Sequence, residues 1–432
     1  MIHMHLKHSI TCMAFAVIAL PALSQKDTLP PPNATKSATN FSKVVGWQDG
    51  KMPVAPKGFA VSQYATGFQN PRWMYVTPNG DVLVAESNSN FKVIEKVGAV
   101  IKGASKAEDL TRSADRITLL RDNNKDGIPD QKEVLLTAEN GLDQPFGMLI
   151  MGNWLYVANT NGVLRFPYLK GQTKITAKGQ KLVDLPAGKG FIKNRHWTRN
   201  IISNANNTKI YIAVGSSSNI GENGMDKEIR RASILEMNPD GSGLRIYASG
   251  LRNPVGMGWA PGSSTLYAAV NERDELGDDL VPDYLTGVKK GAIYGWPYSY
   301  FGQHVDVRVP DQKPGLVKRA VVPEVDLGSH TASLGLAFYT KKTFPTQFQG
   351  GAFIAQHGSW NRSVLSGYKV VYVPFSNGKP SGRPIDFLTG FVADLDASKV
   401  YGRPVGVVVL PDGSLLVTDD AGNTIWRVAA EK

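Results

Sequence analysis

Three groups of residues have the types and spacing to do chemistry. In the run from Asp122 to Glu133, oxygen ligands fall at Asp122, Asn124, Asp126, Asp130 and Glu133, with Gly127 and the Ile128 carbonyl between them. Counted from Asp122 these are positions 1, 3, 5, 9 and 12, with glycine at 6 and a carbonyl at 7, the spacing of an EF-hand-type calcium loop. The flanks, Arg116 to Arg121 and Glu133 to Thr137, are strand-like rather than helical. A structural calcium clip on a hairpin is therefore expected, not a sensor that opens a groove. The bland alternative is an acidic turn, since Asn124-Lys125-Asp126-Gly127 is also turn chemistry.

His196 lies between Arg195 and Arg199. Like-charge repulsion would hold its imidazole neutral near pH 7, as a general base requires. The alternative is a packing histidine. Arg72, Arg252 and Arg403 each stand beside a proline-led apolar strand, and Asn253 follows the second of them. If these entrances converge, the three guanidiniums suit a multiply anionic ligand. His357, Trp360 and Arg362 occur within six positions, a set that can stack on and clamp a flat anion. The run Asn271 to Asp279, containing Glu272 and Asp278, is dense in oxygen; it reads as a second calcium site or as a solvated loop.

The elements that must position these groups repeat along the chain. Six apolar hairpins run from Pro71 to Ser87, Pro145 to Gly162, Thr198 to Ser218, Pro254 to Arg273, Leu334 to Gly358 and Pro404 to Gly422. Turns such as Pro78-Asn79-Gly80 and Pro411-Asp412-Gly413 set φ with proline and accept positive φ with glycine. Helical periodicity is nearly absent, apart from a short turn expected near Pro282 to Thr286. Six copies of one hairpin predict an all-β chain, a six-bladed β-propeller, in which polar strand ends gather over a central channel.

Composition narrows the function classes. The single cysteine, Cys12, lies in the apolar run Ile10 to Leu20. Behind Lys7 and ahead of Ala22 and Ser24, that run reads as a signal peptide over residues 1–24, so a periplasmic or secreted protein is expected. Thiolate catalysis, disulfides, zinc–thiolate sites and covalent haem are then excluded together. Residues 25–50 are polar and proline-rich and are expected to be a disordered leader. The remainder, 51–432, is expected to form the propeller, with the calcium loop as an insertion at 116–137. The net charge of +11 is scattered rather than clustered, which argues against nucleic acid and for at most peripheral membrane contact.

The runs GLRNPVGMGWAP (Gly250 to Pro261), VNERDELGDDLVPDYLTG and YGWPYSY (Tyr294 to Tyr300) resemble the pyrroloquinoline-quinone-dependent sugar dehydrogenases. AQHGSWNRS and GYKVVYVPF bring the likeness nearest to the sorbosone dehydrogenase-like branch. The resemblance implies a six-bladed propeller that binds the quinone with calcium and oxidises an aldose or aldehyde sugar. It implies His196 as general base, Arg252 as the group polarising the quinone carbonyl, and Asn253, Glu272, Arg72, His357 and Arg403 as cofactor contacts, which the stacking and clamping of Trp360 and Arg362 would join. Asp278 would lie near the catalytic calcium. With no Cys-x-x-Cys-His motif, electrons would leave to an external acceptor, a quinone or a cytochrome. Two other readings remain: a calcium-dependent lactonase using Glu86, Asn159 and Asn271, and a carbohydrate-binding propeller without catalysis.

Overall fold

The computed structural model describes residues 29–90, 93–101, 103–107, 109–188 and 194–431. The expected signal peptide, 1–24, lies outside them.

Each predicted hairpin forms the first two strands of a four-stranded antiparallel sheet. The first sheet is Pro71–Val76, Val82–Glu86, Arg116–Arg121 and Gln131–Leu136. The second, third and fourth sheets begin at Met148–Met151, Ile201–Ser203 and Asn253–Trp259. The fifth begins at Ser333–Phe338 and the last at Pro404–Val409. The outermost strand of the last sheet is Phe59–Thr66, from the other end of the chain, paired antiparallel with Thr424–Ala430. The chain is thus nearly all-β, as expected of a β-propeller.

The first strands follow one another in a closed circuit of contacts. Ser87 donates to the Pro145 carbonyl at 2.7 Å, and the Trp73 and Phe146 rings lie 4.7 Å apart. The Gly147 amide meets Arg199 O, and the Asn200 amide group meets Val255 O. Three glycines let backbones approach closely on the remaining sides. A Cβ on Gly256 would collide with Leu334 O and one on Gly335 with Val405 O, and one on Gly406 would lie 2.9 Å from Arg72 O. Apolar side chains fill the wedges between neighbouring sheets, as in the aromatic cluster of Phe59, Phe344, Phe348, Phe353 and Phe387.

Several expectations are corrected. Arg116–Arg121 and Gln131–Leu136 are the outer strands of the first sheet, so 116–137 is no insertion and the acidic loop is their turn. The inserted segment is instead the stretch between Glu86 and Arg116, which carries the helix Val93–Ile101. Pro282–Val288 is a strand, buried along its whole length, where a turn was expected. Residues 29–50 are not a disordered leader; their polar groups bond specific loops. Asn33 N donates to Leu276 O at 2.7 Å, and Asn40 N to Trp360 O at 2.8 Å. Lys43–Val44 pairs in parallel with Lys399–Val400, and Trp47 packs on Phe391, Tyr401 and Trp426.

Candidate active site

In an antiparallel hairpin the first strand starts where the second one ends. The residues before each first strand and after each second strand therefore share one end of their sheet. Arg252 and Arg403 hold the first kind of position, and Arg72 is the second residue of its first strand at the same end; His357 and Asp420 hold the second kind.

Two charged groups form there. Asp420, buried, accepts from Arg72, and its oxygens lie 3.0 Å from His357 Nε2 and 3.3 Å from Arg403 Nε. Burial pushes the Asp420 carboxyl up, but Arg403, then His357 and Arg72, pull it well below the usual carboxylate range. Burial holds His357 neutral, down to about 4. One carboxylate thus sits between two guanidiniums, and Arg72 also lies over the Trp197 ring at 5.6 Å. The neighbouring Asp419 fixes the loop. Its Oδ1 accepts from the Arg403 and Gly422 amides, each at 2.8 Å, and its Oδ2 from Trp47 Nε1 at 2.6 Å.

The second group is centred on His196 and Arg252. His196 Nδ1 faces the Ser216 carbonyl at 2.9 Å. A carbonyl only accepts, so Nδ1 carries the proton and the Nε2 lone pair is the basic one. Burial first, then the charge of Arg252, lowers His196 to about 3, so the ring is neutral at pH 7. The expected cause was repulsion by sequence neighbours; burial is the larger one, and Arg195 comes last. Gly215 makes the packing possible, since a Cβ there would lie 2.5 Å from His196 Cβ and would also strike Asn253.

Arg252 is immobilised. It donates to Asn219 O, Asn219 Oδ1, Glu272 O and, at 3.0 Å, Asp274 Oδ2. Of the five N–H donors of a guanidinium, that leaves one, on Nη1. Asp274 also lies 3.5 Å from His330 Nδ1. Burial alone would lower His330, but Asp274 raises it above the ordinary histidine value. Asn253 donates to Asn271 Oδ1, and its own buried Oδ1 is without a partner among the described residues, as is that of Asn159.

Other expected residues are placed elsewhere. Glu272, whose carbonyl accepts from Arg252, has a buried carboxyl that accepts from the Arg273 amide; burial raises it to about 7. Trp360 stacks on Phe41 at 5.9 Å, and Arg362 pairs with Asp279 at 2.6 Å. Neither meets the Asp420 group. Asp278 accepts from the amide and hydroxyl of Ser363, which makes it a tie between two loops. Among the described residues no three acidic, histidine or cysteine side chains converge as a metal group.

In the acidic loop, Asp122, Asn124, Asp126 and Asp130 accept amides of the turn itself. Glu133 lies on the outer strand and Ile128 is exposed. Asp122 Oδ1 is buried without a partner among the described residues, an acceptor that fits a cation. Glu86 is fully engaged by Arg116, Thr118 and the Gln69 amide, which removes it from any channel metal.

Asp274, Asn219, His330 and Trp47 were missed as site residues. Asp274 sits in an acidic run with no periodicity to single it out. Trp47 lies in a segment whose composition suggested no structure.

The profile of the TrAA12-like family matches residues 53–282 and 315–431. A protein of Borreliella burgdorferi described as uncharacterized is 31% identical over 309 residues, 69% of this chain and 79% of its own. The holo pyranose dehydrogenase PQQ domain of Coprinopsis cinerea superposes with a TM-score of 0.67 at 20% identity, covering 90% of this chain and 100% of that one. A calcium structure of the Trichoderma reesei family AA12 enzyme gives 0.69 at 19% identity, over 91% and 100%.

Proposed function

This chain belongs to the TrAA12-like family, and we propose that it is an exported quinoprotein that oxidises an aldose or an aldehyde sugar of the sorbosone type. Its six sheets are read as the six blades of a propeller. The observation that carries the reading is the half-buried, neutral His196, fixed through Nδ1 and set beside Arg252. A base and an immobilised cation are what removal of a hydroxyl proton with hydride transfer needs from the protein.

The donor set fits a flat polyanion. Arg72 and Arg403 flank one carboxylate, and Arg252 keeps one N–H on a rigid guanidinium. Pyrroloquinoline quinone, when bound, supplies the two-electron acceptor. Arg72 and Arg403, with His357, would hold its carboxylates; Arg252 and Asn253 would hold its ring oxygens. His196 takes the sugar hydroxyl proton at Nε2. Arg252 stabilises the negative charge that develops next to it, and Asp274 with Asn219 keeps that guanidinium from turning away. Electrons then leave to an external quinone or cytochrome.

Calcium fits the Asp122 to Glu133 turn as a clip far from this chemistry, on the evidence of Asp122 Oδ1. The lactonase reading loses its first ligand, because both Glu86 oxygens bind Arg116.

The test is dye reduction by purified protein with a panel of aldoses, with quinone and calcium added singly and together. Reduction only in the presence of quinone supports the reading. Lactone hydrolysis with calcium alone, or no quinone binding at all, overturns it.

A further inference from the structure

The segment 29–48 and two loops enclose an open cleft of about 610 Å³. Asn33, Lys36 and Thr39 line it from the segment; Glu275, Trp360 and Asn361 line it from the loops. The walls are locked together. Gly277 N donates to Ser37 Oγ at 2.9 Å, Asn361 Nδ2 to Ala38 O at 2.9 Å, and Glu275 N to Asn361 Oδ1 at 2.7 Å. Gly277, at φ +109°, would place a Cβ 2.7 Å from Thr35 O, so close seating of the segment depends on a glycine there.

The cleft adjoins the chemistry along the backbone. Glu275 directly follows Asp274, the partner of Arg252. Trp360 lies three residues after His357, the partner of Asp420. Each of the two loops thus holds a charged group of the active site at one end and a cleft wall at the other.

The lining has the chemistry of sugar recognition. A pyranose presents an apolar C–H face and a rim of hydroxyls. Trp360 is covered on one side by Phe41, in a near-parallel stack at 13°, yet keeps 40% of its surface exposed. It is a supported aromatic platform. The Lys36 ammonium and the Asn33 amide have no protein partner among the described residues, and so remain available to hydroxyls. The volume is within the range of roughly 300–1,000 Å³ typical of small-ligand sites.

We propose that this cleft is the sugar-recognition subsite, with Trp360 stacking a pyranose ring and Asn33 and Lys36 bonding its hydroxyls. It rests on the quinoprotein reading for its link to turnover but not for binding itself. Residues 29–48 then set specificity, and Trp360 serves the sugar rather than the cofactor.

The experiment measures binding of D-glucose, D-galactose, L-fucose and cellobiose to the full chain without quinone, by saturation-transfer NMR titration. In parallel, KM and kcat are measured on the quinone-loaded protein. Trp360→Ala and the pair Asn33→Ala with Lys36→Ala should each weaken sugar binding and raise KM at least tenfold. Quinone affinity should stay unchanged, and the variants should still unfold in one cooperative transition. The proposal is overturned if no probe binds the wild type, or if folded variants bind within twofold of it. Sugar binding lost in the variants, in a protein that never reduces dye, would keep the subsite and sink the dehydrogenase reading.

Discussion

Trp47 Nε1 donates to Asp419 Oδ2 at 2.6 Å across 372 positions of sequence. A residue from the polar N-terminal segment thereby completes the shell of a buried carboxyl that also holds the Arg403 amide. Trp47→Phe keeps the ring packing and removes the donor. A hydrogen bond to a carboxyl in this setting contributes about 1–3 kcal/mol. Urea unfolding should show a lowered midpoint by that measure, with an unchanged slope.

Asp420 separates Arg72 from Arg403. Asp420→Asn leaves the size but removes the charge that both cations share. Breaking a buried ion pair from one side costs about 3–5 kcal/mol. The variant should melt well below the wild type; an unchanged melting temperature would mean that the guanidiniums are solvated rather than held.

His196 is neutral down to about pH 3, against 6.5 for a free imidazole. The basic form therefore persists as pH falls through the ordinary histidine range. The acid limb of kcat/KM, measured from pH 8 to 4, should lie below pH 5. His196→Ala should lower kcat by about 10²–10⁴ while quinone affinity is retained. Full activity in that variant would remove its role.

Glu272 titrates near 7 in the fold and near 4.5 when unfolded, because burial disfavours its charge. The stability this gives is complete below 4.5 and is lost as pH rises through 7. Glu272→Gln stays neutral throughout. Relative to that variant, the wild type should lose on the order of 3 kcal/mol between pH 5 and pH 8, read by urea unfolding in calcium-free buffer.

Calcium at about a hundredfold excess over Kd should stabilise the protein by about 2–3 kcal/mol, and chelator should reverse this. Asp122→Asn and Glu133→Gln should each abolish the response without altering kcat. A calcium response that survives both changes would place the cation elsewhere.

Much of the architecture was legible in the sequence. Six hairpins announced themselves through paired apolar runs around polar turns, Pro-Asn-Gly in the first and Pro-Asp-Gly in the sixth, because strand pairing and turn chemistry are local. The positions of Arg72, Arg252 and Arg403 at strand entrances were equally readable. Their partners were not. Asp420 divides its charge between Arg403 of its own hairpin and Arg72 of the neighbouring sheet, whereas Arg252 is taken by Asp274 from the far end of its own hairpin; the spacing does not say which acidic residue of that loop turns to the arginine. The N-terminal segment misled for a related reason. Its order comes from hydrogen bonds and from Phe41 and Trp47 meeting distant aromatic rings, not from any core of its own. Proline-rich composition reports only the lack of a local core.

The pairing of Phe59–Thr66 with Thr424–Ala430 also sets a timetable. During synthesis the early strand emerges long before its partner exists. It must wait, its edge open to other chains, until nearly every other strand has been made. Contacts so distant in sequence are slow to form. The ring therefore closes last, and the wedge holding Phe59 against Phe344 and Phe387 is complete only then. Carriage of the chain in an unfolded state up to that moment would meet no premature ring to undo.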